Sequence, residues 1–275
     1  MQLGQERRRS LSFWFLAALI GLLLAGSSAA SPLYPVYQQR WHFSSLTVTI
    51  VFAVYALALL VALITTGRLS DHLGRRPVLL GALLVQIAGM VAFIVAQGVE
   101  MLYVARILQG FATGLGTTAI SAWLLDLEPP GKPQLGSVVA AIAPMTGLAT
   151  GALGSGLLVQ YGPDQLRLVY WILAIGYAIG FVAVLPIEDL VERDPGWRSS
   201  LRPQVGVPAD VRPLFAALTP SLTATWALGG LFVSLGPALA ISLVGSESHI
   251  AGGLVIVALS GTGAVAAALT ARAAP

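Results

Sequence analysis

The stretch Gly67-Arg68-Leu69-Ser70-Asp71-His72-Leu73-Gly74-Arg75-Arg76-Pro77-Val78-Leu79 is a dense charged loop clamped between two long apolar runs. A connection this short sends its flanking segments back antiparallel. Its glycines are expected to permit the reversal, and its arginines to mark the membrane side on which it lies. Everything around it is hydrocarbon: 56% of the residues are hydrophobic, only 10% are charged, and the mean hydropathy is +0.83. That composition describes an all-α, polytopic membrane protein rather than a soluble core. The net charge of +3 is small and argues for orientation by lipid and the insertion machinery, with no nucleic acid as partner. With no cysteine in the chain, disulfides and thiolate metal sites are excluded.

In chain order, Arg7-Arg8-Arg9 precede an apolar run over about 11–30, long enough to cross ~30 Å of hydrocarbon. Ser28-Ala29-Ala30 also reads as a signal-peptidase site, so a cleaved signal rivals a retained first helix; the length of the run and the spans behind it favour retention. Residues 31–43, with Pro32, Pro35, two tyrosines and Trp41, read as an interfacial loop with aromatic anchors. Helices over about 44–66, 77–97, 101–125, 134–159 and 168–185 complete a set of six, with Pro77 at a first helical position and Glu100 in a short turn. Residues 186–213 form the one long polar stretch, including Glu188, Asp189, Glu192, Arg193, Asp194, Arg198, Arg202, Asp210 and Arg212, and read as a cytoplasmic linker. Apolar runs over 214–244 and 250–271 follow. The expected division is a six-helix N-terminal bundle over 1–187, a linker over 188–213, and the first two helices of a second, incomplete bundle over 214–275.

Basic residues fix the expected orientation. With both ends inside, twelve lie cytoplasmic, among them Arg7 to Arg9, Arg68, Arg75, Arg76 and Lys132, against Arg40 and Arg167 outside. This predicts a multi-pass inner-membrane protein with a cytoplasmic N-terminus. The fifteenth base, Arg106, falls within the fourth helix.

Gly67, Leu69, Asp71, Gly74, Arg75, Arg76 and Leu79 match, at fixed spacing, the pattern G-x-L-a-D-r-x-G-r-r-x-x-l between the second and third helices of the major facilitator superfamily, which the loop therefore resembles. His72 stands where that family often has Arg. The resemblance implies two bundles related as parallel repeats, rocking about a midplane cavity. A faint internal repeat agrees: Pro32 lies 36 residues before Arg68 and Pro237 lies 35 before Arg272, aligning Thr66-Gly67-Arg68 with Thr270-Ala271-Arg272. On that alignment the chain stops where a second such loop would begin. The expectation is a carrier truncated after its eighth helix.

A charge within a membrane helix costs at least ~2.5 kcal/mol on insertion scales, so Arg106 is a candidate functional residue. Arg106-Ile107-Leu108-Gln109-Gly110-Phe111-Ala112-Thr113-Gly114 resembles the superfamily's fourth-helix motif R-x-x-q-G-x-x-x-G, whose arginine lies beside the cavity and is linked to proton coupling. The alternative is an arginine snorkelling to the outer interface. Gly110 and Gly114 share a face and suit close helix packing. In the fifth helix Pro144, Gly147 and Gly151 are candidates for bending, and Gly147 to Gly154 resembles the antiporter-associated motif with Ala152 in place of its central proline; plain helix packing is the alternative. By motif position Asp71, Arg75 and Asp126 would tie a cytoplasmic gate. Gln86, Gln109, Tyr55, Thr113, Ser121 and Thr146 could offer hydrogen bonds to a cavity or between helices.

No Asp or Glu is central in any of the eight apolar runs, which disfavours a cationic substrate. Proton coupling would need Arg106, His42, a substrate group, or an acid in further helices. There is no nucleotide-binding loop, zinc-type histidine pattern or Ser-His-Asp arrangement, so no catalytic residue, metal or cofactor is expected. The resulting expectation is a secondary carrier of the efflux type, moving a small molecule across the bilayer with protons as the coupling ion. A truncated, non-transporting fragment is the first alternative, and a membrane scaffold binding through Glu188 to Arg212 is another.

Overall fold

The computed structural model describes residues 2–129, 131–189, 191, 206–244 and 249–273. Within them every secondary-structure element is a helix: α1 (Gln2–Ala29), a 3-10 turn (Ser31–Leu33), α2 (Tyr34–Trp41), α3 (Ser45–Thr66), α4 (Leu69–Leu73), α5 (Arg75–Ile94), α6 (Val99–Asp126), α7 (Leu135–Tyr161), α8 (Leu168–Val184), α9 (Arg212–Ser234), α10 (Gly236–Val244) and α11 (His249–Ala273). Helices are what apolar segments of this length must form in hydrocarbon, where every backbone donor and acceptor has to be satisfied within its own segment.

Helix α1 is the centre. It packs against α6, α7 and α8, while α5 lies between α6 and α8, α3 lies along α6, and α11 lies along α7. Phe13, Leu16, Ile20 and Leu23 of α1 are buried among side chains from its neighbours. Large apolar side chains such as Leu57, Trp226 and Val265 are exposed, as a lipid-facing surface requires.

Small residues set the closest approach. A methyl group at Gly147 would run into the backbone carbonyl of Gly21, and one at Gly151 into that of Ala25, so α7 lies almost backbone to backbone on α1. Gly154, one turn on, has open space beside it. Gly151→Leu is therefore expected to lower the thermal midpoint of the detergent-purified protein, by the ~1–3 kcal/mol typical of overpacking, while Gly154→Leu changes it little. Tryptophan fluorescence on heating reads both.

Several expectations are corrected. Residues 31–43 are no interfacial loop. Pro32 and Pro35 fall in the first turns of the 3-10 segment and of α2, where a missing N–H costs nothing, so they start helices. Tyr34 and Tyr37 then point into the core at 1% exposure, and Trp41 stacks on Tyr37 at 4.7 Å. Helix α5 starts two residues before Pro77, which is its third residue, and Glu100 lies in the first turn of α6. The apolar run 214–244 is two helices, α9 and α10, with Leu235 between them and Pro237 in the first turn of the second.

Among the described residues six helical spans are long and apolar enough to cross a membrane, and α8 is a shorter apolar helix. Helix α6 is not one of the six. Its polar side chains Arg106, Gln109 and Thr113 are buried inside the bundle instead of turned outward to lipid, so it need not be strongly apolar. The linker residues Glu192, Arg193, Asp194, Arg198 and Arg202 lie outside the described residues, as does the side chain of Arg272.

Candidate functional site

Two polar clusters stand near opposite ends of α6. At its C-terminal end the charged loop folds into a tight corner. The N–H of Gly67 closes α3 on the Leu63 carbonyl, five residues form α4, and Gly74 turns the chain into α5. Only Gly74 uses glycine's freedom, at φ 98°; Gly67, at φ −56°, is ordinarily helical and supplies no left-handed turn.

The Arg75 guanidinium is the hub. Its Nε donates to Asp126 Oδ2 at 3.1 Å, and its Nη1 donates to Ser70 Oγ at 3.0 Å and to Asp71 Oδ1. Arg75 is 12% exposed at its side chain, against 31% for Asp126 and 52% for Asp71. An exposed pair contributes only ~0.2–1 kcal/mol, so the burial of the arginine is what gives this arrangement weight. Arg9 Nη2 donates to the Asp126 carbonyl at 2.7 Å and closes the end of α6. Arg76 Nη1 reaches the carbonyls of Leu185, at 3.1 Å, and Ile187, beyond the end of α8. Asp189, read from sequence as one more linker acid, accepts from the backbone N–H of both Arg75 and Arg76 at 3.1 Å. A contact spanning 114 residues leaves no local signal that could have found it.

Nearer the other end of α6 lies Arg106, wholly buried and turned into the bundle, which rules out snorkelling to the interface. Its Nε and Nη2 donate to the Tyr34 hydroxyl at 2.9 and 2.5 Å, and its Nη1 donates to the Ser27 carbonyl at 3.0 Å and to Gln109 Oε1. The guanidinium carbon lies 5.2 to 5.7 Å from the ring centroids of Tyr34, Tyr55 and Phe93. Every partner is neutral. Aromatic faces supply part of the compensation that a carboxylate would otherwise give, at ~2 kcal/mol or more for a desolvated contact.

The predicted neighbours complete this cluster. Gln109 Nε2 donates to the Gly26 carbonyl at 2.9 Å, Thr113 Oγ1 donates to the Gln109 carbonyl at 2.7 Å, and the Tyr55 hydroxyl donates to Ser27 Oγ at 2.9 Å. A methyl at Gly110 would meet the Tyr55 carbonyl, and one at Gly114 would lie 2.9 Å from the Leu59 carbonyl, so these glycines let α3 bring Tyr55 against Arg106. Gln86 is buried and donates to the Tyr177 hydroxyl at 3.2 Å, leaving its Oε1 without a partner. Thr146 bonds to its own helix through the Ile142 carbonyl. Pro144 lies inside a continuous α7, with Gly147 and Gly151 on the face against α1. The predicted residues thus fall into the corner (Gly67, Asp71, Gly74, Arg75, Arg76, Asp126), the buried cluster (Arg106, Gln109, Gly110, Thr113) and the α1–α7 contact. Sequence reasoning missed Asp189, Arg9, Ser27 and Tyr34.

Comparison with known proteins points the same way. A tetracenomycin C resistance and export protein of Streptomyces glaucescens is 32% identical over 152 residues, covering 53% of this chain and 28% of that protein. The multidrug transporter QDR2 of Candida glabrata is 32% identical over 155 residues, covering 55% and 26%. An uncharacterized transporter of Rickettsia bellii is 28% identical over 161 residues, covering 58% and 39%. The matches thus extend over 26 to 39% of these curated relatives. Among solved structures, a crystal structure of the peptide transporter POT with sulfate shares the fold at a TM-score of 0.52 and 17% identity, over 85% of this chain and 49% of that one. The model of the Major Facilitator Superfamily matches residues 14–274. With the corner, the buried arginine and the helix order all in place, the chain belongs to the Major Facilitator Superfamily.

Proposed function

We propose that this chain works in a secondary carrier that expels a small molecule from the cell by alternating access, coupled to protons. In this reading the first six membrane helices, over 1–187, form one bundle, residues 188–213 link it to a second, and residues 214–275 begin that second bundle. The Arg75 end faces the cytoplasm, with the N-terminus on the same side of the cell membrane.

Arg106 carries the reading. A buried cation held only by neutral groups suits a residue whose environment changes when a proton or a substrate arrives, and it lies on the helix that also ends at the corner. Its relatives named for export and multidrug transport support the outward direction. Asp71, Arg75 and Asp126 form the gate, with Asp71 as the exposed member free to meet the second bundle. The residues around Arg106 then border the substrate path, and Pro144, Gly147 and Gly151 set how α7 moves on α1.

Vesicle flux tests this. In inverted vesicles carrying the protein, an imposed proton gradient is expected to drive uptake of a neutral or anionic aromatic compound in preference to an organic cation, because Arg106 has no carboxylate beside it among the described residues. Uptake that ignores the gradient would remove the proton coupling. No flux of any of the three from the 275 residues alone would support a non-transporting product.

A further inference from the structure

Helix α5 begins without a cap of its own. Its N-cap residue is Gly74, which has no side chain to offer, and its third residue is Pro77, which has no N–H. Two first-turn donors remain, the N–H groups of Arg75 and Arg76, and both point at one carboxylate: Asp189 Oδ1 accepts from Arg75 N and Oδ2 from Arg76 N, each at 3.1 Å. The same Oδ1 lies 3.4 Å from the N–H of Val191, which holds the carboxylate in place from its own side. A negative group here also meets the positive end of the helix dipole. The corner makes room for it. A methyl group at Gly74 would overlap the Asp189 carboxylate, so this glycine is required twice, for its φ of 98° and for the approach of the acid.

We propose that Asp189 is a positioning residue of the charged corner: it is the N-cap of α5, supplied by the segment that follows α8. It fixes the first turn of α5 and hence the direction in which Arg75 leaves it toward Asp71 and Asp126. Arg76 reinforces the tie from the opposite side, through the carbonyls of Leu185 and Ile187. The corner is thereby fastened to the start of the segment read as the linker, and a pull on that segment is felt at the Arg75 hub. The consequence for transport rests on the gate reading above; the cap itself does not.

Hydrogen exchange on the purified full chain in nanodiscs separates capping from charge attraction. Asn caps a helix about as well as Asp, whereas Ala does not. Asp189→Ala is expected to speed exchange of both the Arg75 and Arg76 amides by about tenfold or more, while Asp189→Asn, whose amide offers one acceptor oxygen in place of two, keeps one of the two amides within about threefold of its native rate. Gly74→Ala, which displaces the carboxylate and also strains the backbone at φ 98°, is expected to speed exchange at least as much as Asp189→Ala. Equal exchange in the Asn and Ala variants would overturn the cap, as would native exchange in Asp189→Ala. Should Asp189→Ala not insert, native exchange in Gly74→Ala would overturn it equally. Failure of the cap leaves the gate standing, and failure of the gate in flux assays leaves the cap.

Discussion

Arg106→Gln is expected to reduce gradient-driven flux by about a hundredfold or more, and Arg106→Lys by about tenfold, at matched protein levels in the membrane. The guanidinium fork spans Tyr34, the Ser27 carbonyl and Gln109 at once. An ammonium is a single point on a flexible stem and reaches fewer of them, but it keeps the charge. Gln removes the charge and shortens the side chain, leaving buried acceptors of α1 and α6 unpaired at ~1–3 kcal/mol each. A fall in thermal stability should therefore accompany the loss of flux. Native flux in Arg106→Gln would remove this residue from coupling altogether.

At the corner the largest effect belongs to a pair of substitutions. Asp71→Asn and Asp126→Asn each leave Arg75 one acidic partner, and each is expected to lower flux by about tenfold. Together they leave a guanidinium only 12% exposed with neither acidic partner, although the exposure of Asp71 and Asp126 keeps the cost below the ~3–5 kcal/mol of breaking a fully buried pair. The double variant should therefore be worse than the two single effects combined, with a coupling of ~0.5–3 kcal/mol. Flux per inserted molecule for the four proteins reads it. Native transport in Asp71→Asn would end the gate reading. Because the chain has no cysteine, single-cysteine reporters of accessibility can be added without background labelling.

Much of this was legible in the residues. Apolar runs of about 20 residues have only one structural outcome in hydrocarbon, and the loop's spacing alone marks the corner. Arg106 stood out because a charge in such a run is conspicuous. What stayed hidden depends on distant partners or on ambiguous residues. Pro32 and Pro35 could end one helix or begin the next, and only the docking of Tyr34 onto Arg106 decides for the second. Asp189 looked like any acid in a polar stretch until the fold brought it to α5. Helix α6 carries many polar residues for a membrane helix, and its place inside the bundle could not be read from that.

Helix α6 runs unbroken for 28 residues with Arg106 near one end and Asp126 at the other, roughly 30 Å apart at 1.5 Å per residue. Near its middle it is gripped on both flanks, Gly114 against the backbone of α3 and Gly116 against Leu23 of α1. A rod pinched at its midpoint, with each end tied to its neighbours by breakable hydrogen bonds, has the form of a seesaw. A tilt of about 5° about that fulcrum would carry each tip ~2 Å in opposite directions, enough to break a hydrogen bond at one end while making one at the other.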